Sequence, residues 1–189
     1  MEDCIDAIKR GGVAVIPTDT IYGIVARADN PEAVERVYAV KGRAPEKPSI
    51  ILIGKKEDLS IFDIILSEEQ ENFLNKHWPG AVSVILECTN ERFAYLHRGT
   101  KSLSFRLPDN KALIELLEQT GPLSAPSANP ENQKPASTVD EARVYFGDAV
   151  DCYMDGGMSS ADPSTLVRLG KAGEVEVLRV GSVATELIQ

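Results

Sequence analysis

The chain contains few of the residues that form metal centres and disulfide frameworks. Its 189 residues include three cysteines, at positions 4, 88 and 152, and two histidines, His77 and His97. Three widely spaced cysteines match neither a disulfide framework nor a metal site, so we expect buried free thiols. Neither histidine belongs to an HxxxH or HExxH motif, which argues against a zinc enzyme. We expect His77 to pack against its helix or cap it, and His97 to lie in a surface loop.

Long apolar runs and targeting segments are also missing. No stretch approaches the roughly 20 apolar residues that are needed to span a bilayer, so no membrane association is predicted. The first residues, Met1 to Ile5, have neither the basic flank nor the long apolar stretch of a secretory signal. By default, these features predict a cytoplasmic protein.

An excess of positive charge is missing as well. The formal net charge is −9 and the isoelectric point is about 4.8, whereas proteins that grip nucleic acid by its phosphates are usually basic. A local basic surface could still make a weak contact with RNA, but the bulk charge gives that idea no support. Hydrophobic residues make up 43% and charged residues 26%, which is typical of a globular protein, so we expect one domain over residues 1–189.

Helices and strands alternate through the middle of the chain, and strands cluster near its end. Capping residues mark five helix starts: Asp3, Asn30 before a proline, Ser67, Asn110, and the capping box from Thr138 to Glu141. Apolar runs predict strands at 13–16, 23–26, 49–53 (a central strand), 81–86, 102–107, 123–124, 150–154, 165–169 and 175–180. The fold class is therefore α/β, with a mixed β-sheet covered by helices.

Two polar segments follow predicted strands. In the first, an apolar run stops at Pro17 and the turn Thr18 to Thr20 follows. This turn could bind a hydroxyl or an ammonium group of a ligand, or it could be an Asx-type turn. In the second segment, Ser127 and Asn129 could cradle phosphate oxygens, or they could stabilise their own turn. The chain has no GxxxxGK[ST] sequence, so this is not a P-loop.

Three cations accompany the polar segments. Lys41 and Arg43 follow a predicted helix, where they could bind a polyphosphate or simply complement the helix dipole. Arg106 lies on a strand that is otherwise apolar, and an inward-facing arginine usually meets an anion. That anion could be a protein carboxylate or a ligand. Together the polar segments and the cations suggest one small-molecule site for an anionic ligand.

Seven short motifs, in this order along nearly the whole chain, resemble the YrdC family of threonylcarbamoyl-AMP synthases. Each motif is weak alone, but the ordered set is highly specific. The motifs lie at Pro17–Gly23, Lys41–Arg43, Trp78–Gly80, Ser104–Pro108, Gly121–Asn129, Ser164–Thr165 and Leu178–Gly181.

The resemblance implies a twisted α/β sheet with a concave, open cavity. It also implies a reaction in which L-threonine, bicarbonate or CO₂, and ATP with Mg²⁺ give threonylcarbamoyl-AMP and pyrophosphate. A separate transferase complex would then carry the threonylcarbamoyl group to tRNA. Mg²⁺ is expected to arrive with ATP, since no metal site of protein side chains is evident.

The resemblance also assigns roles to residues. Lys41 and Arg43 would be the catalytic cations. The ATP-binding residues would be Lys41, Arg43, Lys47, Ser102, Ser127, Asn129 and Arg179. The threonine-binding residues would be Thr20, Tyr22, Arg106 and Ser164. Lys47 stands where many relatives have asparagine, and Glu131 and Asn132 stand where the family usually has Ser-Gly.

An RNA-binding module that shares this fold without synthase activity is the alternative function. It would bind RNA with a strong dependence on salt, and the net charge of −9 argues against it. A carbamoyl-transfer domain of the kind found in hydrogenase maturation factors is a further alternative. Those domains usually belong to longer chains than this one.

Overall fold

A nine-stranded sheet forms the centre of the computed structural model, which describes residues 1–188. The strands are β1 (Ala14–Ile16), β2 (Gly23–Arg27), β3 (Ile50–Leu52), β4 (Val82–Glu87), β5 (Ser102–Arg106), β6 (Leu123–Ser124), β7 (Cys152–Tyr153), β8 (Thr165–Leu169) and β9 (Val175–Arg179). Their order across the sheet is β7-β1-β2-β6-β3-β5-β4-β8-β9. The pairs β1·β7, β3·β5 and β4·β8 are parallel, and the other neighbours are antiparallel. The predicted mixed sheet is confirmed, and β3 lies at its middle, as the apolar run at 49–53 predicts.

Helices flank the sheet. They are α1 (Glu2–Lys9), α2 (Pro31–Lys41), α3 (Glu68–His77), α4 (Ala94–His97), α5 (Lys111–Thr120) and α6 (Val139–Phe146), with 3₁₀ turns at Lys56–Phe62, Glu91–Phe93, Gly147–Ala149 and Thr185–Leu187. Within residues 1–188, no helix is both long and apolar enough to cross a membrane.

Four of the five predicted helix caps are confirmed. The side chains of Asn30, Ser67, Asn110 and Thr138 each accept a hydrogen bond from the backbone N–H three residues later, at 3.0–3.2 Å. Each bond satisfies one of the donors that a helix start leaves free. The prediction that Asp3 caps a helix over residues 4–9 is wrong, because α1 begins two residues earlier, at Glu2, with Met1 in the cap position.

Alternate residues of β1 and β2 pack on opposite faces of the sheet, as the twofold period of a strand requires. Val15 and Ile24 join a core cluster with α2 and α6. Ile16 and Val25 join another with α1 and α5. A third and larger cluster lies around β3, β4, β5 and β8. Helices therefore cover both faces at this end of the sheet, which explains why β1 and β2 are almost wholly apolar.

The prediction of three free thiols is wrong for two of them. Cys4 and Cys152 form a disulfide, with their Cα atoms 5.3 Å apart. Helix α1 contacts both β1 and β7, and these two strands pair in parallel at the edge of the sheet, so residues 148 positions apart in sequence become neighbours. Sequence spacing alone cannot show such a pairing. Cys88 is free and buried, as expected, with its thiol directed at the Phe62 carbonyl.

The expectations for the two histidines have opposite outcomes. The ring of His77 packs on Phe73 with 4.4 Å between centroids, so the packing prediction is confirmed. His97 does not lie in a surface loop: it ends α4, is 2% exposed, and accepts a hydrogen bond from the Gly99 N–H through Nδ1. Helix α4 has only four residues, which is too short for hydrophobic periodicity to reveal it.

Loss of the Cys4–Cys152 disulfide should destabilise the protein. The bridge closes a long loop and restricts the unfolded chain, so replacing both cysteines by serine should lower the free energy of unfolding by about 2–5 kcal/mol. Urea unfolding measures this change. A reductant should weaken the wild type by a similar amount and leave the double variant unaffected. A wild type that is insensitive to reductant would show that the two sulfurs are not bonded.

Candidate functional site

A cavity of about 480 Å³ opens over the middle of the sheet. Segments that lie far apart in sequence form its wall: the turn after β1, the loop before β3, one face of β5, the loop after β6, and the segments around β8 and β9. Eight predicted site residues line it: Thr20, Tyr22, Arg43, Ser102, Arg106, Ser127, Ser164 and Arg179. Of the residues predicted from the sequence, Lys41, Lys47 and Asn129 lie outside this lining.

A threonine hydroxyl shapes the turn between β1 and β2. Thr18 Oγ1 donates to the Ile21 carbonyl at 2.7 Å and accepts from the Thr20 N–H at 3.1 Å. The turn is therefore stabilised by Thr18, and the Asp19 carboxylate takes no part in an Asx-type bond. Its role lies with Arg106, described below. The Thr20 carbonyl accepts a hydrogen bond from Ser159, which ties the turn to a later segment of the chain.

Tyr22 is fully buried at one end of the cavity. Its hydroxyl donates to the Gly157 carbonyl at 2.8 Å and accepts from the Gly156 N–H at 2.9 Å. Gly156 itself passes so close to Pro17 that a Cβ would lie 2.5 Å from that ring. The segment from Gly156 to Ser159 therefore crosses the turn as a fixed strap, and only glycine fits where it crosses.

Arg106 pairs with a protein carboxylate, which is one of the two kinds of anion that the sequence left open. Its guanidinium forms an ion pair with Asp19 at 2.5 Å and donates to Thr20 Oγ1 at 3.3 Å. Both charged side chains are almost fully buried. Within residues 1–188, Arg106 Nε has no hydrogen-bond partner. The ion pair therefore holds the guanidinium in place, while its Nε is a buried donor that the described residues do not satisfy.

Arg179 stands close to Arg106 in the same cavity. It donates to the Ser164 carbonyl at 2.8 Å. Burial lowers the pKa of Arg179, and the charge of Arg106 lowers it further. Two guanidinium groups that repel each other favour an anionic ligand between them, because the ligand offsets that repulsion.

Lys41 lies behind the cavity wall. Its amino group donates to the backbone carbonyls of Ser127 and Asn129, and the residue is only 3% exposed. Burial lowers the pKa of Lys41 from 10.5 to about 7; Arg43 lowers it as well, and Glu131 opposes the shift. The Asn129 side chain also faces the protein, donating to the carbonyls of residues 130 and 133. In this structure Lys41 and Asn129 shape the loop that presents Ser127.

Arg43 is the member of the predicted cation pair that reaches the cavity. Its guanidinium donates to the carbonyls of Lys47 (3.1 Å) and Pro48 (2.8 Å) and lies 5.7 Å from the centre of the Tyr38 ring. The side chain of Lys47 is 53% exposed and forms an ion pair with Glu131. Lys47 is thus directed to the outer side of its loop.

Ser104 is a lining residue that the sequence analysis missed. It lies on β5 between Ser102 and Arg106, and it is 7% exposed. Within the described part of the chain its hydroxyl has no hydrogen-bond partner. The twofold period of a strand could have identified it, because residues 102, 104 and 106 share one face. Ser49, also missed, lines the cavity too and shares a hydroxyl–hydroxyl bond of 2.6 Å with Ser124.

No group of three or more His, Cys, Asp and Glu residues within 1–188 could hold a metal ion. The cavity presents hydroxyl and guanidinium groups instead, which bind carboxylates and phosphates. The site is therefore one for small anionic or polyanionic molecules, on an α/β scaffold.

Comparisons with known proteins point to one family. The family model Sua5_yciO_yrdC, described as "Telomere recombination", matches residues 6–181. A putative threonylcarbamoyl-AMP synthase of Mycobacterium tuberculosis (strain ATCC 25618 / H37Rv) is 34% identical over 185 residues, which cover 97% of this chain and 85% of the relative. The threonylcarbamoyl-AMP synthase of Bacillus subtilis (strain 168) is 30% identical over 186 residues, covering 96% of this chain and 53% of the relative.

Solved structures point to the same family. Sua5 of P. abyssi, whose structure was determined in complex with L-threonine, matches with a TM-score of 0.91 at 28% identity. The match covers 98% of this chain and 55% of that chain, so the present chain spans little more than half of the P. abyssi protein. E. coli YciO has the same fold, with a TM-score of 0.86 at 23% identity over 98% of this chain and 91% of that chain. The chain belongs to the Sua5/YciO/YrdC family, and the predicted resemblance is confirmed.

The depressed pKa of Lys41 predicts a specific dependence of stability on pH. The unfolded chain keeps this proton up to about pH 10.5, whereas the folded protein releases it near pH 7. The contribution of Lys41 to the free energy of unfolding should therefore increase as pH rises from about 7 toward 10.5. Urea unfolding between pH 6 and 9 should show the wild type gaining stability relative to Lys41→Met above pH 7. Parallel profiles for the two proteins would contradict the assignment.

Proposed function

We propose that this chain is a threonylcarbamoyl-AMP synthase, a nucleotidyltransferase that joins L-threonine, bicarbonate or CO₂, and ATP, and releases pyrophosphate. The observation that carries the proposal is one cavity that gathers Thr20, Arg43, Arg106 and Ser127 from segments scattered along the chain. The names of the relatives support it, as does the L-threonine complex of P. abyssi Sua5.

The turn between β1 and β2 is the proposed threonine end of the cavity. The guanidinium of Arg106 and the hydroxyl of Thr20 are donors suited to the carboxylate of an amino acid. Arg106 is already fixed by Asp19, so its donor is preorganised and little side-chain entropy is lost on binding. Ser164 lines the same region and completes the predicted threonine contacts, while the hydroxyl of Tyr22 fixes the strap.

Arg43, Ser102, Ser127 and Arg179 form the proposed nucleotide end. Two of them are guanidinium groups, which match the geometry of phosphate oxygens, and two are hydroxyls. The predicted contacts of Lys41, Lys47 and Asn129 with ATP stay predictions. In the geometry described here, Lys41 and Asn129 would act through the backbone of the Ser127 loop.

The proposed chemistry needs charge stabilisation more than proton transfer. The amino group of threonine combines with bicarbonate, with loss of water, to give a carbamate. A carbamate oxygen then forms a bond to the α-phosphorus of ATP, and the bond from that phosphorus to the bridging oxygen breaks as pyrophosphate leaves. The carbamate is already a nucleophile, so the residues must chiefly align two anionic reactants and offset their repulsion.

Mg²⁺ is part of this proposal as the companion of ATP. It prefers oxygen ligands and often binds through substrate phosphates with one or two carboxylates or water. Bound there, it would neutralise charge on the phosphates. The product, a reactive mixed anhydride, calls for a transferase that accepts the threonylcarbamoyl group and passes it to tRNA. That transferase complex is the proposed partner.

Pyrophosphate release is the direct test of the reaction. The protein is incubated with ATP and Mg²⁺, with threonine and bicarbonate each present or omitted. Release should require both, and serine should replace threonine poorly. Release that is independent of threonine or bicarbonate would contradict a synthase. An RNA-binding module, the alternative function, would instead bind RNA with a steep dependence on salt.

Replacing Arg43 by alanine should lower the rate of pyrophosphate release by about 100-fold or more, because one charged donor to the phosphates is lost. The free energy of unfolding should fall by only about 1 kcal/mol, since two hydrogen bonds to backbone carbonyls are removed from a partly exposed side chain. Lys111→Ala is the matched control, as Lys111 is 92% exposed on α5. A large loss of stability with unchanged activity would make Arg43 a structural residue.

A further inference from the structure

Two loops meet at the nucleotide end of the cavity. The first, residues 42–48, leaves α2 through Gly42, whose φ of 59° lies in the left-handed region. The second, residues 127–137, follows β6. Arg43 and Pro48 of the first loop line the cavity, as do Ser127 and Pro135 of the second. The relative position of the two loops therefore decides the shape of the nucleotide end.

Glu131 joins the two loops through both its backbone and its side chain. Its N–H donates to the carbonyl of Lys41 at 2.9 Å. One carboxylate oxygen accepts from the Ala44 N–H at 2.5 Å, and the other forms an ion pair with Lys47. We refer to Glu131 with Lys41, Ala44 and Lys47 as the clasp.

The contacts of the clasp favour the ionised form of the Glu131 carboxyl group. The ion pair with Lys47 lowers the pKa of the Glu131 carboxyl most, and the hydrogen bond from Ala44 lowers it further. Arg43 also contributes. The carboxylate is ionised at neutral pH in any case, and the lowered pKa keeps it ionised under more acidic conditions as well.

The clasp is connected to Arg43 through the backbone carbonyl of Lys47. The Lys47 carbonyl accepts hydrogen bonds from Arg43 Nε (3.1 Å) and from the Tyr38 hydroxyl (2.8 Å). The position of the Lys47 backbone carbonyl therefore influences the orientation of the Arg43 guanidinium. Glu131 sets the position of Lys47, because it holds the Lys47 side chain and the Ala44 backbone at the same time.

Glu131 and Lys47 do not belong to the cavity lining, whereas Arg43 and Ser127 do. A carboxylate inside the cavity would compete with phosphates for the Arg43 guanidinium. A carboxylate on the outer side of the two loops can instead hold them together without contacting the ligand. Removing a carboxylate that competes with phosphates would raise the affinity for ATP. Removing one that holds the loops together would lower it.

We propose that Glu131 is a positioning residue that holds the 42–48 and 127–137 loops together, so that Arg43 and Ser127 meet the nucleotide as one preformed site. The inference rests on the proposed function for its ligand, ATP. It extends that function by adding a residue that acts through others and touches neither substrate.

Three variants separate the parts of the clasp. Glu131→Ala removes both side-chain contacts, Glu131→Gln keeps an acceptor for the Ala44 N–H but loses the charge, and Lys47→Met removes the ion pair from the other side. Glu46→Ala is the matched control, because Glu46 is an exposed acid in the same loop and its loss changes the net charge equally.

The KM for ATP should rise about tenfold in Glu131→Ala, which loses both side-chain contacts of the clasp. It should rise about threefold in Glu131→Gln and Lys47→Met, which each lose only the ion pair. The KM for threonine should change less than twofold, and so should kcat at saturating ATP. Glu46→Ala should match the wild type. A lower KM for ATP in Glu131→Ala would overturn the proposal, because it would mean that the carboxylate competes with phosphates. Equal changes in the KM for ATP and in the KM for threonine would also overturn it.

Hydrogen exchange tests the clasp independently of turnover. The Ala44 amide should exchange faster in Glu131→Ala than in the wild type or Glu46→Ala, while amides of β5 stay unchanged. ATP binding measured by calorimetry without threonine should weaken in parallel. If the wild type binds ATP but releases no pyrophosphate, the proposed function fails and these two measurements still decide the clasp. An Ala44 amide whose exchange is the same in all variants would refute it.

Discussion

The buried amino group of Lys41 is the contact on which the arrangement of the site depends. It joins the end of α2 to the backbone carbonyls of Ser127 and Asn129, which come almost 90 residues later. An amine with little access to water loses hydration, so it must be surrounded by acceptors, and the loop carbonyls supply them. The loop is thereby held against the segment that carries Arg43. The proposed nucleotide end of the cavity keeps its shape because these two segments cannot move apart without leaving donors and acceptors unpaired.

The distribution of charge shows how an acidic protein can bind anions. The chain carries a net charge of −9, yet Arg43, Arg106 and Arg179 converge on one cavity. Asp19 pairs with Arg106, and the pKa of Arg179 is lowered by burial and, to a smaller extent, by the charge of Arg106. In a site of reduced water content such charges act strongly on a ligand, while the acidic surface elsewhere disfavours unspecific binding to nucleic acid. The cavity therefore presents positive charge although the chain as a whole is acidic.

Much of the fold could be predicted from local signals. Caps at Asn30, Ser67 and Asn110 depend on one side chain and a backbone N–H three residues away, so they can be identified in sequence. The apolar run at 49–53 correctly indicated a strand buried on both faces. Helix α4 was missed because four residues are too few to show a helical period. The Cys4–Cys152 bridge was missed because its two cysteines lie 148 positions apart in the sequence. Both failures concern information that is absent from short windows.

The sequence by itself determined the α/β class, most helix starts, the family, and the set of polar residues from which the site is built. Those features follow from hydrogen bonding within a few residues, from the periods of helix and strand, and from ordered motifs. Only the tertiary structure decided the direction of each side chain: Arg43 toward the cavity, Lys41 toward backbone carbonyls, and Lys47 outward toward Glu131. The physical reason is that a side chain takes the partner that is nearest in space, and that partner is often remote in sequence.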